Sequence, residues 1–151
     1  MDIAEIFKAH LFEGCSVGLV GVGKLGSKLR SIAEEKGCHV ILCDPPRNFA
    51  EADELSQHFF ELWGNGMGGC QVSNEGMEVF VPLEALVRAD VISVQVPLVD
   101  APPYPTRGLI NADFLTCLKP EAKLLCFSPP EVIAPDARDN RRISIEPISK
   151  L

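Results

Sequence analysis

The chain has 151 residues, 46% apolar and 23% charged, which predicts one globular domain with a sizeable core, too short for a two-domain enzyme. Twenty-one acidic against fourteen basic residues give a net charge of −7, and without a Lys/Arg run both nucleic acid and anionic membrane surfaces are disfavoured as partners. Cys15, Cys38, Cys43, Cys70, Cys117 and Cys126 form no C-x-x-C pair, the N-terminus has no signal-peptide layout, and no apolar run approaches the ~20 residues of a membrane span; the expectation is a cytoplasmic protein.

In chain order, Ile3, Ile6, Phe7 and Leu11 fall at helical spacing and predict an amphipathic helix over 2–12, closed by Gly14. The apolar run 16–21 reads as a strand buried on both faces of a parallel sheet. Residues 24–36 put Leu25, Leu29, Ile32 and Ala33 on one helical face, with Gly37 as C-cap, and residues 39–43 form a second buried strand that Asp44-Pro45-Pro46 ends.

Residues 48–79 are less legible and are expected to be an extra or irregular segment. An acidic helix fits 50–62, a glycine-rich joint fits 64–69, and 71–81 fit either a small hairpin or a loop into a short third strand. Pro82 is expected to open a short helix with Leu83, Leu86 and Val87 inward, followed by a strand over 91–96. Four prolines make 97–107 an irregular loop; Asn111 or Asp113 then opens a helix through Leu118, and 123–127 form the last clear strand. The proline-containing, basic stretch 129–151 reads as a poorly ordered tail. Alternation of strands and helices predicts an α/β fold, a doubly wound parallel sheet between helical layers, α/β/α, in a single domain over 1–151.

Gly21-Val22-Gly23-Lys24-Leu25-Gly26 is G-x-G-x-x-G, a weak signal alone in a chain with twelve glycines. Its place after a buried strand and before a helix gives each glycine a distinct reason. Gly21 would make the tight turn, Gly23 would allow close approach to a pyrophosphate, and Gly26 would let helix pack on strand. The helix start, with its exposed N–H groups and the positive end of its dipole, suits an anion. Asp44 stands 18 residues after Gly26, close to the spacing of a carboxylate that accepts hydrogen bonds from an adenosine ribose. That carboxylate would repel a 2′-phosphate and so favours NAD over NADP; Arg47 keeps NADP open, and an ordinary turn before proline is the plainer account of Asp44.

These residues, together with Ala89-Asp90-Val91-Ile92, Pro97-Leu98, Pro103-Tyr104 and the stretch Leu109-Ile110-Asn111-Ala112-Asp113 to Leu118-Lys119-Pro120, resemble the Rossmann-like nucleotide-binding domain of D-isomer-specific 2-hydroxyacid dehydrogenases. Within that family Cys43-Asp44-Pro45-Pro46-Arg47 is most similar to the 4-phosphoerythronate dehydrogenases. The resemblance implies that Lys24 and Leu25 meet the pyrophosphate through backbone, that Asp44 meets the adenosine ribose, that Pro45 belongs to the cofactor site, and that Val96 and Pro97 flank the cofactor. It also exposes departures. Gln95-Val96-Pro97 replaces the family's His-Thr-Pro, and Cys126 to Glu131 lacks the arginine that binds substrate after the last strand. His10, His39 and His58 do not match the family's acid histidine, and its paired glutamate and the substrate domain have no counterpart, so no catalytic residue is expected.

Other clusters have plainer readings. His58 with Glu54 and Glu61 is a solvated helix face before it is a metal site, Cys43 a buried strand thiol, and Trp63 a local apolar anchor. Three functions remain: a stand-alone NAD-binding module, the cofactor half of an oxidoreductase completed by a partner chain or a longer parent, and an interaction module with a vestigial cofactor site. A homodimer is compatible with all three.

Overall fold

In a computed structural model of the chain, the described residues are 2–43, 69–73, 76–80, 83–101 and 105–148. Five parallel strands form the central sheet: β1 (Ser16–Val20), β2 (His39–Cys43), β5 (Val91–Val94), β6 (Lys123–Cys126) and β7 (Ile143–Ile145), in the order β2-β1-β5-β6-β7. The chain leaves β1 toward β2 on one side and later returns to β5 on the other. The C-terminal ends of β1 and β5 therefore flank the switch point, where open α/β sheets leave a crevice. β3 (Gly69–Ser73) and β4 (Gly76–Phe80) pair antiparallel as a separate hairpin, which decides between the two expectations for 71–81.

The predicted α/β/α layering follows from the strands' two-residue period. Val17 and Leu19 of β1 point to the face covered by α1 (Ile3–Ala9) and α2 (Lys24–Glu35), where Phe7, Leu29 and Ala33 are wholly buried. Burial of Phe7 and of Leu29 contributes about 1.5–3 kcal/mol each relative to exposure, and that of the Ala33 methyl less. On the opposite face Val20, Ile92, Val94 and Leu124 meet Leu83 and Leu86 of a 3-10 helix (Leu83–Arg88), Phe114 and Leu115 of α3 (Ala112–Thr116), and Val132 and Ile133. The short helix expected after Pro82 thus takes 3-10 form, which sets Leu83 and Leu86, three residues apart, above one another. A Cβ at Gly18 would lie 3.1 Å from Leu86 Cδ2, so glycine in β1 lets this helix sit close on the sheet.

Helix starts follow capping chemistry. Asp2 accepts the Glu5 N–H at 2.9 Å for α1, and Asn111, not Asp113, accepts the Phe114 N–H at 2.9 Å for α3. Both helices are shorter than their periodicity suggests, although Leu11 and Leu118 beyond their ends stay buried.

The stretch from 129 corrects the expectation of a poorly ordered tail: through residue 148 it is part of the fold. Val132, Ile133 and Ala137 are buried, a 3-10 turn spans Pro130–Val132, and β7 adds a fifth strand beside β6. The basic residues anchor it. Arg142 donates to the carbonyls of Leu115 at 2.8 Å and Lys119 at 3.1 Å, closing the C-terminal end of α3, and Arg138 donates to Ile133 O at 3.0 Å.

Candidate functional site

The G-x-G-x-x-G turn leaves β1 at Val20 and enters α2 at Lys24, as its sequence context predicts. Its three glycines have different structural reasons. Gly21 has φ +96°, a region that side chains rarely adopt, and a Cβ there would lie 2.8 Å from Val96 Cγ1. Gly26 is buried, and a Cβ there would overlap the Gly21 carbonyl oxygen, so close packing of α2 on the turn requires glycine. Gly23 is neither strained nor crowded. It is exposed, has φ −82°, and a Cβ on it would meet nothing within 4 Å.

Gly23 is also the N-cap of α2 and offers no side-chain hydrogen bond to the first turn. Folding alone would favour Ser, Thr, Asp or Asn at such a position. The N–H groups of a helix's first turn have no intrahelical partner, and a glycine cap leaves them open to an external acceptor. Lys24 beside them is exposed and Leu25 half-buried.

Gly21 N–H donates to Cys43 O at 2.9 Å, which holds the turn against the end of β2. Asp44, Pro45 and Arg47 lie outside the described residues, as do His58 with Glu54 and Glu61, Trp63, Pro82, Pro103 and Tyr104 and the expected helix over 50–62. Across the switch point, Val96 is buried beneath Gly21, while Pro97 is exposed. The loop beyond is tied by Thr106, whose hydroxyl donates to Pro97 O at 2.7 Å and accepts the Val99 N–H at 2.8 Å. An exposed, two-bond ion pair of Arg107 with Asp100, at 2.6 and 3.2 Å, closes its outer side.

Gln95 is the residue that sequence reasoning misses. It is buried, and its amide nitrogen donates to Val20 O at 3.1 Å and Gly21 O at 2.7 Å, while its Oε1 accepts the Ser93 hydroxyl at 2.7 Å. The available signal is two polar residues with period two, Ser93 and Gln95, in a strand otherwise apolar from Val91 to Val96. Where the family carries His-Thr-Pro, this chain fixes the glycine turn through an amide.

No arginine stands in 127–131, directly after β6. Ser128 there is fully buried and its hydroxyl has no partner among the described residues, and burial pushes the pKa of the neighbouring Cys126 thiol up to about 11. Among the described residues no three His, Cys, Asp or Glu side chains are grouped to hold a metal, and no helix is long and apolar enough to cross a membrane. A cavity of about 470 Å³, lined by Leu118, Pro120, Asn140 and Arg142 among others, opens toward the N-terminal side of β6, away from the glycine turn.

No protein-family model matches the chain. Erythronate-4-phosphate dehydrogenase of Chromohalobacter salexigens is 33% identical over 124 residues, which span 82% of this chain and 26% of the relative. That of Salinibacter ruber is 36% identical over 124 residues, spanning 81% and 26%. The chain thus spans about a quarter of the length of the curated relatives it matches. Among solved structures, the D-isomer-specific 2-hydroxyacid dehydrogenase of Lactobacillus delbrueckii ssp. bulgaricus, in its NAD-complexed form, superposes with a TM-score of 0.51 at 21% identity, over 79% of this chain and 28% of that one. The five-stranded parallel sheet is that of Rossmann-fold dehydrogenases. By sequence the chain is related to part of the erythronate-4-phosphate dehydrogenases, and its fold is that of the nucleotide-binding domain of D-2-hydroxyacid dehydrogenases.

Proposed function

We propose that the chain binds a dinucleotide, NAD in preference to NADP, in the crevice between the C-terminal ends of β1 and β5. The observation that carries this reading is Gly23: neither backbone conformation nor packing calls for glycine there, and an approaching pyrophosphate does. The pyrophosphate would lie against the first-turn N–H groups of α2 at Lys24 and Leu25, with Gly21 and Gly26 shaping the turn and Val96 and Pro97 flanking the cofactor. Asp44 and Pro45 follow directly on Cys43, whose carbonyl already holds the turn, and the Asp44 carboxylate would receive the ribose hydroxyls and repel a 2′-phosphate. The cofactor's own chemistry is hydride transfer; this chain's residues bind and orient it.

A second reading has its own support. The chain spans a quarter of its dehydrogenase relatives and carries no arginine in 127–131, directly after β6, so hydride transfer would need the other wall of an active site from further polypeptide, in a partner chain or a longer parent. A second copy of the chain in a homodimer is compatible with either reading, as is a cytoplasmic location.

Thermal denaturation with NAD, NADH, NADP and no ligand tests the proposal. At one hundred times Kd, binding stabilises by about 2.7 kcal/mol, roughly 5–11 °C in Tm for a chain of this size. NAD or NADH should raise Tm, with NADP needing a higher concentration for the same rise. No rise with any of them would leave the third reading, an interaction module with a vestigial site.

A further inference from the structure

Two of the buried polar side chains, Ser93 on β5 and Gln95 one residue past its end, lie on one of the two strands that flank the switch point. Both face the α1/α2 side, and they form a directed chain: the Ser93 hydroxyl donates to Gln95 Oε1, and the Gln95 amide donates one hydrogen to Val20 O and one to Gly21 O. The two carbonyls assign the amide, since a flipped Gln95 would set its oxygen against both of them, whereas the Ser93 hydroxyl can serve either orientation. The amide also fills the space that Gly26 leaves: a Cβ on Gly26 would come within 3.5 Å of Gln95 Nε2.

We infer that Gln95 is a positioning residue for the pyrophosphate: its amide, oriented by Ser93, draws the Gly21 carbonyl inward and so turns the N–H groups at the start of α2 outward to the ligand. This rests on the dinucleotide reading above and adds to it a residue that touches no ligand. Strand pairing does not need the contact, because the Gln95 backbone N–H already donates to Val20 O at 3.0 Å. A buried amide that adds bonds to the same carbonyl and to the next fixes the turn rather than the ladder. An apolar side chain of similar volume would fill the same space but take the partner from the Gly21 carbonyl and the Ser93 hydroxyl, so a lower Tm is expected beside any effect on binding.

The test compares Gln95→Met, which keeps length and loses both donors, with the wild-type chain. The probes are NAD, ADP-ribose and adenosine, titrated by calorimetry or NMR. A positioning role predicts that NAD and ADP-ribose, which carry the pyrophosphate, weaken about tenfold, a typical consequence of a displaced buried hydrogen-bonding group, while adenosine changes less than about twofold. Ser93→Ala should show the same selectivity at about two- to threefold, and its effect should disappear in the Gln95→Met background, because one acts through the other. A merely structural Gln95 would lower Tm and leave the ratio of NAD to adenosine affinity unchanged, which overturns the inference. If Gln95→Met does not fold, Ser93→Ala decides, and equal NAD affinity in it and the wild type overturns the inference. A wild-type chain that binds no NAD overturns the dinucleotide reading and this one together, whereas a wild type that binds with an unchanged ratio in the variants overturns this one alone.

Discussion

The two ends of the parallel sheet are finished differently. At the N-terminal end, Asp90 gathers three strands: its carboxylate accepts the Ser16 N–H at 2.9 Å and Lys119 Nζ at 2.9 Å, its own N–H donates to Ser16 O, and its carbonyl accepts the Lys123 N–H. Each of these polar groups has its partner within the chain. At the C-terminal end, Gln95 and Cys43 hold the carbonyl and the N–H of Gly21, but the start of α2 is capped by a glycine without a side chain. A closed end serves stability and an open end serves a ligand, so substitutions at the two ends should separate stability from binding.

The largest effect is expected where the open end is itself packed. Gly26→Ala drives a methyl group into the Gly21 carbonyl, which is backbone and cannot step aside, so a loss of about 3 kcal/mol or more is predicted, with NAD binding lost as well. Chemical denaturation of the variant checks this; a wild-type midpoint would mean that α2 can slide away from the turn.

Asp90→Ala is expected to cost about 2 kcal/mol, the scale of a carboxylate with a backbone and an ammonium partner at a partly exposed site, and to leave NAD affinity unchanged. A change in affinity would link the two ends. The same group gives the pH dependence its sign. The Ser16 N–H first, and then Lys119, hold the Asp90 carboxyl below its ordinary value of 3.8. Its stabilisation is therefore complete above the unfolded value and is lost as pH falls through the lower, folded one. Denaturation of wild type against Asp90→Asn should show a gap at neutral pH that closes in the acid range. A gap independent of pH would contradict the assignment.

Arg142→Ala should cost about 1 kcal/mol by removing the guanidinium donor from the carbonyls of Leu115 and Lys119, each of which keeps a backbone N–H partner. Hydrogen exchange should then rise first along β7 and the stretch before it. Uniform exchange across the sheet would show instead that β7 is not held from this corner.

The sequence is legible where order is local. β2 matches its expected range, and β1, α2 and the glycine turn lie close to theirs, because a continuous apolar strand, a helical face and a glycine at each bend are all written within about thirty residues. β7 is not legible. Ile143-Ser144-Ile145 is too short to show a period, stands beside Arg141 and Arg142, and owes its strand to Leu124, Leu125 and Cys126 about twenty residues earlier. Gln95 stands out in the sequence as a polar residue in an apolar run and as a departure from a family pattern, but its bonds are not legible there, since its partners Val20 and Gly21 lie some 75 residues away and are backbone atoms without a sequence signature. Of the expected site, Gly21, Gly23, Lys24, Leu25 and Gly26 come together with Val96 and Pro97 at one sheet end, although Val96 supports the turn from beneath.

The sharpest measurement is NAD titration of Gly23→Ser beside the wild-type chain, with the ligand-free Tm of both. Serine is a better N-cap than glycine, its Cβ has open space, and its hydroxyl would occupy the N–H groups proposed for the pyrophosphate. The ligand-free Tm should equal or slightly exceed that of wild type, with NAD affinity reduced at least about tenfold, the loss of roughly 1.4 kcal/mol expected when a close backbone approach is blocked. Equal NAD affinity in the two proteins would contradict the role given to Gly23, and would move any cofactor away from the glycine turn.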